Sequence, residues 1–292
     1  MPLTDSQYDS SKVPMVDTEN FPPHRNLKYG DTHYRLGHQI ARGGYSTVYQ
    51  AQDTWSNALA IKEFNEKASE AMWKNEVSNY MQLQHPKIIY MYGAFALEGK
   101  FYIAMEYAGL SIGRVNLSDE RERQLILMLA AKCMLEALHF MHDKGFVHTD
   151  INPGNALLEL TSDNRPVGVK LCDLGLAIPE KYLRRGKHKA KWNPSPECVD
   201  GEEFGFESKA MDVYSTAQVL MEILNGGGLD RYSDEEICSG ALREKALSFN
   251  DPMGDALAQA LVPRVSERVD AMRLWRLIRN AGSRHLLVNP ID

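Results

Sequence analysis

Cysteine is scarce in this sequence, and positively charged residues are fewer than negatively charged ones. Its four cysteines (Cys133, Cys172, Cys198 and Cys238) include no C-x-x-C pair, which argues against a disulfide framework or a zinc site and indicates reduced thiols in a reducing compartment. The formal net charge is −6, so the chain has no overall attraction to nucleic acid or to an anionic membrane. We therefore predict neither of them as a partner.

The chain also has no apolar run of membrane-spanning length, and its N-terminus lacks a basic segment followed by an apolar one. These absences predict an intracellular protein, cytoplasmic or nuclear, that is not secreted. Hydrophobic residues make up 43% and charged residues 25% of the 292 residues. This is the composition of a soluble globular protein with a substantial core.

A strand-rich segment precedes a helix-rich one. Residues 1–32 are polar and contain prolines, which predicts an irregular N-terminal arm. Residues 33–108 show the short alternating runs and turn signals of strands, together with one helix. Residues 109–284 carry apolar residues mostly at helical spacing, and residues 285–292 form a C-terminal tail. The fold class is therefore α+β.

The segment from His148 to Asn155 reads H-T-D-I-N-P-G-N, and Asp173 opens a D-L-G turn further along the chain. Phosphoryl transfer requires an aspartate that accepts a hydroxyl proton, together with an asparagine and a second aspartate that hold Mg²⁺. The pattern therefore indicates phosphoryl transfer, with Asp150 as the base and Asn155 and Asp173 as metal ligands.

A glycine-containing turn and a lysine upstream fit the same chemistry. Gly43 and Gly44 lie between two predicted strands, where backbone N–H groups can approach phosphates closely, although such a pair is also typical of an ordinary hairpin turn. Lys62 is flanked by apolar strand residues, and burying it requires an anionic partner. A phosphate and Glu76, on the predicted helix, would provide one; the alternative for Glu76 is an ordinary surface position.

The order and spacing of these motifs resemble the eukaryotic protein kinase family over residues 34–281. The resemblance implies a bilobal fold, with a small β-rich N-lobe at 33–108 that includes helix C and a larger helical C-lobe at 109–284. It implies an ion pair between Lys62 and Glu76, and another between Glu197 of an S-P-E motif and Arg268. It also implies that ATP is bound by residues matching the family's nucleotide contacts: Ile40, Ala41, Gly43, Gly44, Ser46, Val48, Ala60, Lys62, Glu76, Met105, Glu106, Ala108 and Leu157.

Two residues of the central motif depart from the family's pattern. Thr149 replaces the arginine that ordinarily binds a phosphorylated activation loop, and the segment from 173 to 194 contains no Ser or Thr, only Tyr182. We therefore predict a loop that is not switched by Ser/Thr phosphorylation. Asn152 replaces the lysine that many Ser/Thr kinases place two residues after the base. A neutral donor stabilises the transferred phosphoryl group less, which predicts slow catalysis.

Several short motifs, among them H-T-D-I and D-L-G, are similar to those of the SR-protein and LAMMER-type kinases and their fungal relatives. The segment after Asp173 is basic, however, and would repel Arg-rich substrates. Acidic or phosphorylated protein substrates fit it better, although a basic run is also typical of a solvated loop. The basic residues are Lys181, Arg184, Arg185, Lys187, Lys189 and Lys191.

The sequence thus predicts a monomeric, ATP- and Mg²⁺-dependent protein Ser/Thr kinase, with Asp150, Lys62 and Asn152 as its catalytic residues. One alternative is a pseudokinase scaffold that binds ATP with little or no turnover, suggested by the departures at Thr149 and Asn152. The other is a small-molecule phosphotransferase of the aminoglycoside or choline type. Such enzymes share the H-x-D-x-x-x-x-N pattern but lack the pair that Glu197 and Arg268 are predicted to form.

Overall fold

The computed structural model describes residues 25–183, 192–229 and 231–288, with side chains up to residue 282. A small lobe contains an antiparallel sheet of six strands in the order β1-β2-β3-β4-β6-β5, with one helix packed against it. This confirms the predicted bilobal α+β fold. The elements of the small lobe are β1 (Arg25–Tyr29), β2 (Thr32–Arg42), β3 (Ser46–Gln52), β4 (Ala58–Phe64), α1 (Glu70–Gln82), β5 (Met91–Leu97) and β6 (Lys100–Glu106).

The sheet register brings several predicted nucleotide contacts to one face. Val48 lies opposite Lys62 on β3 and β4, and Ala60 lies opposite Met105 on β4 and β6. Directly opposed residues share a face of the sheet, as do residues two apart on one strand. These four side chains therefore point to the same side of the sheet.

Strand β1 corrects one expectation. Residues 25–29 pair with β2 along their whole length, although the sequence predicts an irregular arm over residues 1–32. The strand was missed because its side chains are mostly exposed and polar, so that only Leu27 is buried. Edge strands of this kind carry no clear apolar alternation. The remainder of the predicted arm, residues 1–24, lies outside the described residues.

The large lobe is mainly helical, with two short antiparallel pairs of strands. Helix α9 extends beyond residue 284, so the first residues of the predicted tail are helical. The elements are α2 (Glu120–Asp143), β7 (Phe146–Val147), β8 (Ala156–Leu160), β9 (Pro166–Leu171), β10 (Ile178–Pro179), α3 (Pro196–Val199), α4 (Gly201–Phe204), α5 (Ala210–Leu224), α6 (Asp234–Ser239), α7 (Ala241–Leu247), α8 (Pro252–Ala260) and α9 (Ala271–Val288).

Helix α2 is the central support of this lobe and packs against α5, α9 and β9. By length and composition alone it could cross a membrane, so the expectation that the chain has no such apolar run is wrong. In its most apolar stretch, 61% is buried inside the protein. The core of the large lobe thus accounts for the apolar composition of α2.

Candidate active site

Lys62 lies between two carboxylates. Its Nζ donates to both oxygens of Glu76 at 2.6 and 2.8 Å and to Oδ1 of Asp173 at 2.9 Å. The side chains of Lys62 and Glu76 are 9% and 3% exposed, whereas that of Asp173 is 39% exposed. Burial opposes the charge of the ammonium, but the two carboxylates outweigh this effect and raise its pKa above the ordinary range. Lys62 is therefore a permanent cation that connects the two carboxylates.

The short connection between β4 and α1 does not prevent this pair. Helix α1 begins after Ser69, whose hydroxyl accepts a hydrogen bond from the N–H of Met72 at 3.2 Å as an N-cap. Only residues 65–69 lie between the strand and the helix, and they suffice to bring the second turn of α1 over β4. Glu76 thus lies inside the protein rather than at the surface position that the sequence left open.

The segment from His148 to Asn155, which we call the catalytic loop, holds Asp150 through the side chain of Asn155. Nδ2 of Asn155 donates to the carbonyl oxygen of Asp150 at 2.8 Å and to its Oδ2 at 3.1 Å. Asp150 is buried, so the amide fixes the direction of the carboxylate without adding charge. The amide oxygen of Asn155 and the carboxylate of Asp173 are hard oxygen ligands, the type that Mg²⁺ prefers. Their chemistry fits the predicted metal site.

The backbone of this loop is anchored from below by Asp212 at the start of α5. Its Oδ2 accepts from the N–H of His148 at 2.8 Å, its Oδ1 accepts from the N–H of Thr149 at 2.9 Å, and His142 contacts Oδ2 at 3.0 Å. Thr149 adopts φ of 68°, a left-handed conformation that is strained for a β-branched residue. The anchor therefore maintains a backbone shape that the sequence alone disfavours.

Cys172 joins the catalytic loop to Asp173. Its N–H donates to the carbonyl of Asn155 at 3.0 Å, and its own carbonyl contacts Nε2 of His148 at 3.2 Å. Asp173 follows with φ of 61°, and its N–H donates to the Tyr80 hydroxyl of α1 at 3.1 Å. The two predicted groups, Lys62–Glu76–Asp173 and Asp150–Asn155, are thus brought side by side.

The glycine turn between β2 and β3 has open space on one side and a hydrogen-bonded neighbour on the other. A side chain at Gly44 would meet no atom within 4 Å, and at Gly43 it would meet only Ser46 O at 3.8 Å. The turn is held from one side by Asn65, whose side chain donates to Gly44 O at 2.9 Å and whose N–H donates to Tyr45 O at 2.9 Å. The carbonyl groups of Gly44 and Tyr45 therefore point toward Asn65. The space beside Gly44 is open to a ligand.

The connection between the lobes carries several of the predicted nucleotide contacts. Met105 is buried, while Ala108 and Leu157 are partly buried and pack on the main hydrophobic core, which includes residues of both lobes. The carboxylate of Glu106 accepts from Lys170 on β9 and from the N–H of Tyr90. The side chain of Glu106 is therefore occupied by Lys170 and Tyr90, which leaves its backbone to contact a nucleotide.

Three other predicted nucleotide contacts lie at the ends of β2 and β3. Ile40 and Ser46 are half-buried and Ala41 is exposed, next to the glycine turn. The carbonyl of Ile40 accepts from Nη1 of Arg114 at 2.6 Å, which links β2 to the turn after the inter-lobe connection.

Asn152 is turned into its own loop. Its Nδ2 donates to Asp150 O at 3.0 Å, and its Oδ1 accepts from the N–H of Gly154 at 2.9 Å. A side-chain amide held in this way stabilises the loop. The predicted role of Asn152 as a donor to the phosphoryl group therefore has little support in its contacts.

The predicted pair of Glu197 and Arg268 is formed and completely buried. Two parallel hydrogen bonds of 2.7 and 2.8 Å connect the guanidinium to the carboxylate, and both side chains are 0% exposed. The pair ties the segment after the activation loop to the end of the large lobe. The predicted basic residues at 184, 185, 187, 189 and 191 lie outside the described residues.

Some residues of the site were not predicted from the sequence. Asn79 is buried on α1 and donates to two carbonyls of the turn after Asp173, and Asn65 holds the glycine turn. The hydroxyl of Thr149 donates to Leu176 O at 3.0 Å. The position of Asn79, one turn beyond Glu76 on the same helix face, is the one signal in the sequence that could have indicated it.

Comparison with known proteins agrees with this geometry. Residues 34–271 match the family model described as "Protein kinase domain". The chain is 28% identical over 206 residues, 67% of its length, to mitogen-activated protein kinase kinase kinase 3 of Arabidopsis thaliana, of which it covers 35%. It is 26% identical to CBL-interacting serine/threonine-protein kinase 18 of the same plant over 77% of its length and 44% of that protein.

A third relative, serine/threonine-protein kinase 10 of Rattus norvegicus, is 30% identical over 68% of the chain and 21% of that protein. The chain thus spans less than half the length of each of these relatives. None of the three is named as an SR-protein kinase, and that resemblance is not confirmed.

Proposed function

Because the chain belongs to the protein kinase family, we propose that it transfers the γ-phosphoryl group of ATP to Ser or Thr hydroxyls of protein substrates. One observation carries the proposal: Lys62, Glu76 and Asp173 form a hydrogen-bonded cluster beside Asp150, with Cys172 connecting the two. This is the arrangement that phosphoryl transfer requires of the protein, since catalysis there consists mainly of positioning and charge stabilisation.

Each side chain then has a defined task. Asp150, oriented by Asn155, accepts the proton of the acceptor hydroxyl. Lys62 holds the α- and β-phosphates and is itself oriented by Glu76. Asp173 and Asn155 would hold Mg²⁺, which would neutralise the charge of the phosphates. The open space beside Gly44 leaves the backbone of the glycine turn accessible to the phosphates.

Ser/Thr specificity is supported by two observations. Residues 151–153 read I-N-P, whereas the tyrosine-specific members of the family carry A-A-R or R-A-A there. The relatives CBL-interacting serine/threonine-protein kinase 18 and serine/threonine-protein kinase 10 carry this specificity in their names.

The basic run after Asp173 favours acidic or phosphorylated substrates. A monomer in the cytoplasm or nucleus remains our prediction.

The proposal includes independence from activation-loop phosphorylation. Thr149 stands where an arginine would bind a phosphate, and its hydroxyl contacts Leu176 O instead. We expect the chain to be equally active before and after treatment with a phosphatase that acts on Ser, Thr and Tyr, with mass spectrometry to follow the phosphate content, that of Tyr182 included. A loss of activity that accompanies loss of a phosphate from residues 173–194 would refute this part.

The central test is transfer of radioactive phosphate from ATP to protein acceptors by the purified chain. Asp150→Asn keeps the shape of the side chain and removes the base, so transfer should fall to background. Asp255→Asn, an exposed aspartate of α8, is the matched control and should retain full activity. Aminoglycosides and choline are included as acceptors, and transfer to them alone would favour the small-molecule alternative.

A second candidate function is an ATP-binding scaffold with little or no turnover. The side chain of Asn152 favours it, because this amide is held by Asp150 O and the N–H of Gly154 and provides no cation near the transferred group. Calorimetry would distinguish the two: Mg²⁺–ATP binding by a folded chain that transfers no phosphate to any acceptor indicates the scaffold.

A further inference from the structure

The turn after Asp173 is bound by side chains at four successive carbonyl groups, those of residues 174–177. The donors come from helix α1 and from the catalytic loop. The hydrogen bonds are Asn79 Nδ2 to Leu174 O (2.8 Å), Asn75 Nδ2 to Gly175 O (3.1 Å), Thr149 Oγ1 to Leu176 O (3.0 Å) and Asn79 Nδ2 to Ala177 O (2.8 Å).

Asn79 is the centre of this arrangement. It is 3% exposed and uses both N–H groups of its amide on the turn. A polar side chain in the interior of a helix is disfavoured unless its hydrogen bonds are satisfied. The two hydrogen bonds of Asn79 form only when the turn is in one place, because the carbonyls of Leu174 and Ala177 must both point at Nδ2.

The contacts form a closed ring with the catalytic lysine. Glu76 and Asn79 lie one turn apart on α1 and share a face. Glu76 binds Lys62, Lys62 binds Asp173, and the chain continues from Asp173 into the turn that Asn79 holds. A displacement of α1 or of the turn therefore breaks bonds at both ends of the ring.

We propose that Asn79 is a positioning residue for the transfer reaction. It holds the turn after Asp173 against α1, with the help of Asn75 and Thr149, and so keeps Glu76 on Lys62 without a phosphate on the activation loop. This role rests on the proposed function: Asn79, Asn75 and Thr149 take the place of a phosphate on the activation loop. Three neutral side chains thereby perform a task that charged groups otherwise perform.

The test compares Asn79→Asp with Asn116→Asp. Asn79→Asp is isosteric, but its carboxylate faces two carbonyl oxygens and cannot donate to them. Asn116 is exposed, and its Oδ1 accepts from the N–H of Ser118, a bond that an aspartate retains. We expect kcat to fall about 100-fold in Asn79→Asp, as for a misplacement of catalytic groups by about 1 Å. The KM for the protein acceptor and the activity of Asn116→Asp should stay unchanged.

A double-mutant cycle with Glu76→Gln separates positioning from a structural role. If Asn79 acts through Glu76, Asn79→Asp should lower kcat by less than about threefold once Glu76 has been replaced. A purely structural residue would lower kcat by the same factor in both backgrounds. Equal factors would therefore overturn the proposal.

A second pair of variants, at Thr149, tests the proposal even if Asn79→Asp does not fold. Thr149→Val removes the hydroxyl and keeps the β-branched shape, whereas Thr149→Ser keeps the hydroxyl. We expect kcat to fall about tenfold in the first and to recover in the second, on the same argument of misplacement. Equal activity of the two variants would contradict the proposal.

An inactive wild-type chain would refute the proposed function separately. Asn79→Asp should then still weaken Mg²⁺–ATP binding about tenfold, because Lys62 would lose its position toward the phosphates. Unchanged binding would overturn the role of Asn79.

Discussion

Two buried ion pairs in this protein have nearly the same geometry and very different surroundings. Arg268 and Glu197 are joined at 2.7 and 2.8 Å with no exposure. Lys62 and Glu76 are joined at 2.6 and 2.8 Å, but Lys62 also contacts the partly exposed Asp173. The distances alone would assign the two pairs the same role.

The partners of the two cations show the difference. Arg268 gives its other N–H groups to the carbonyls of Val262, Ala210 and Pro263, so that all five donors are used within the large lobe. Lys62 lies on a strand, Glu76 on a helix and Asp173 on a turn, which are three separate elements. The pair of Arg268 and Glu197 has no donor left for a ligand and is structural. The pair of Lys62 and Glu76 connects elements that must be aligned and remains accessible to a ligand, and we call it the open pair.

Arg268→Ala should have the largest effect, and it should be on stability. Removing the guanidinium leaves Glu197 buried without a partner, which lowers the free energy of unfolding by about 3–5 kcal/mol. Urea unfolding followed by circular dichroism measures it. Arg264→Ala, which removes a hydrogen bond to Glu203 O at an exposed site, should change that free energy by about 1 kcal/mol. Similar values for both variants would remove the contrast between the pairs.

Glu76→Gln should affect catalysis far more than stability. Lys62 keeps Asp173 as a charged partner, so the free energy of unfolding should change by only about 1–2 kcal/mol, while phosphoryl transfer should fall about 100-fold through misplacement of Lys62. Steady-state kinetics and urea unfolding on one preparation give both numbers. Glu70→Gln replaces an exposed glutamate of the same helix and should change neither. A loss of stability as large as that of Arg268→Ala would contradict the assignment of the open pair.

Asn152→Lys adds a cation to the loop that carries Asp150. We expect turnover to rise about tenfold from the added charge, with a loss of about 1–2 kcal/mol in unfolding free energy because the bonds to Asp150 O and Gly154 N–H disappear. Asn152→Met removes the same bonds without adding charge and is the matched control. Lower turnover in both variants would show that the loop bonds matter more than the missing charge.

Gly175→Ala should produce the smallest effect. An added Cβ would lie 3.0 Å from Oε2 of Glu76 and 3.3 Å from Oδ1 of Asp173, so the open pair must shift by a few tenths of an ångström. We expect transfer to fall about threefold to tenfold with unchanged folding. Gly93→Ala has open space for its Cβ and should leave activity unchanged. Equal activity of both variants would mean that the open pair tolerates the shift.

The sequence predicted the two-lobed fold and the residues of both pairs because these depend on local signals. A lysine within an apolar strand, an S-P-E motif and a D-L-G turn can each be identified from neighbouring letters alone. Strand β1 was missed because its exposed residues carry no alternation, and only its pairing with β2 identifies it as a strand. The apolar length of α2 was missed because Lys132 and Glu136 interrupt its apolar residues, so that no unbroken apolar run is present.

The sequence by itself determined which chemical groups this protein brings to phosphoryl transfer, from the glycines at 43–44 to Arg268. Only the tertiary structure decided how they are held. Asn152 forms hydrogen bonds within its own loop, Asp212 accepts from the N–H of the strained Thr149, and Asn79 donates to the turn after Asp173. The physical reason is that a polar side chain acquires its role from the partner it meets. These partners lie up to 98 residues away along the chain.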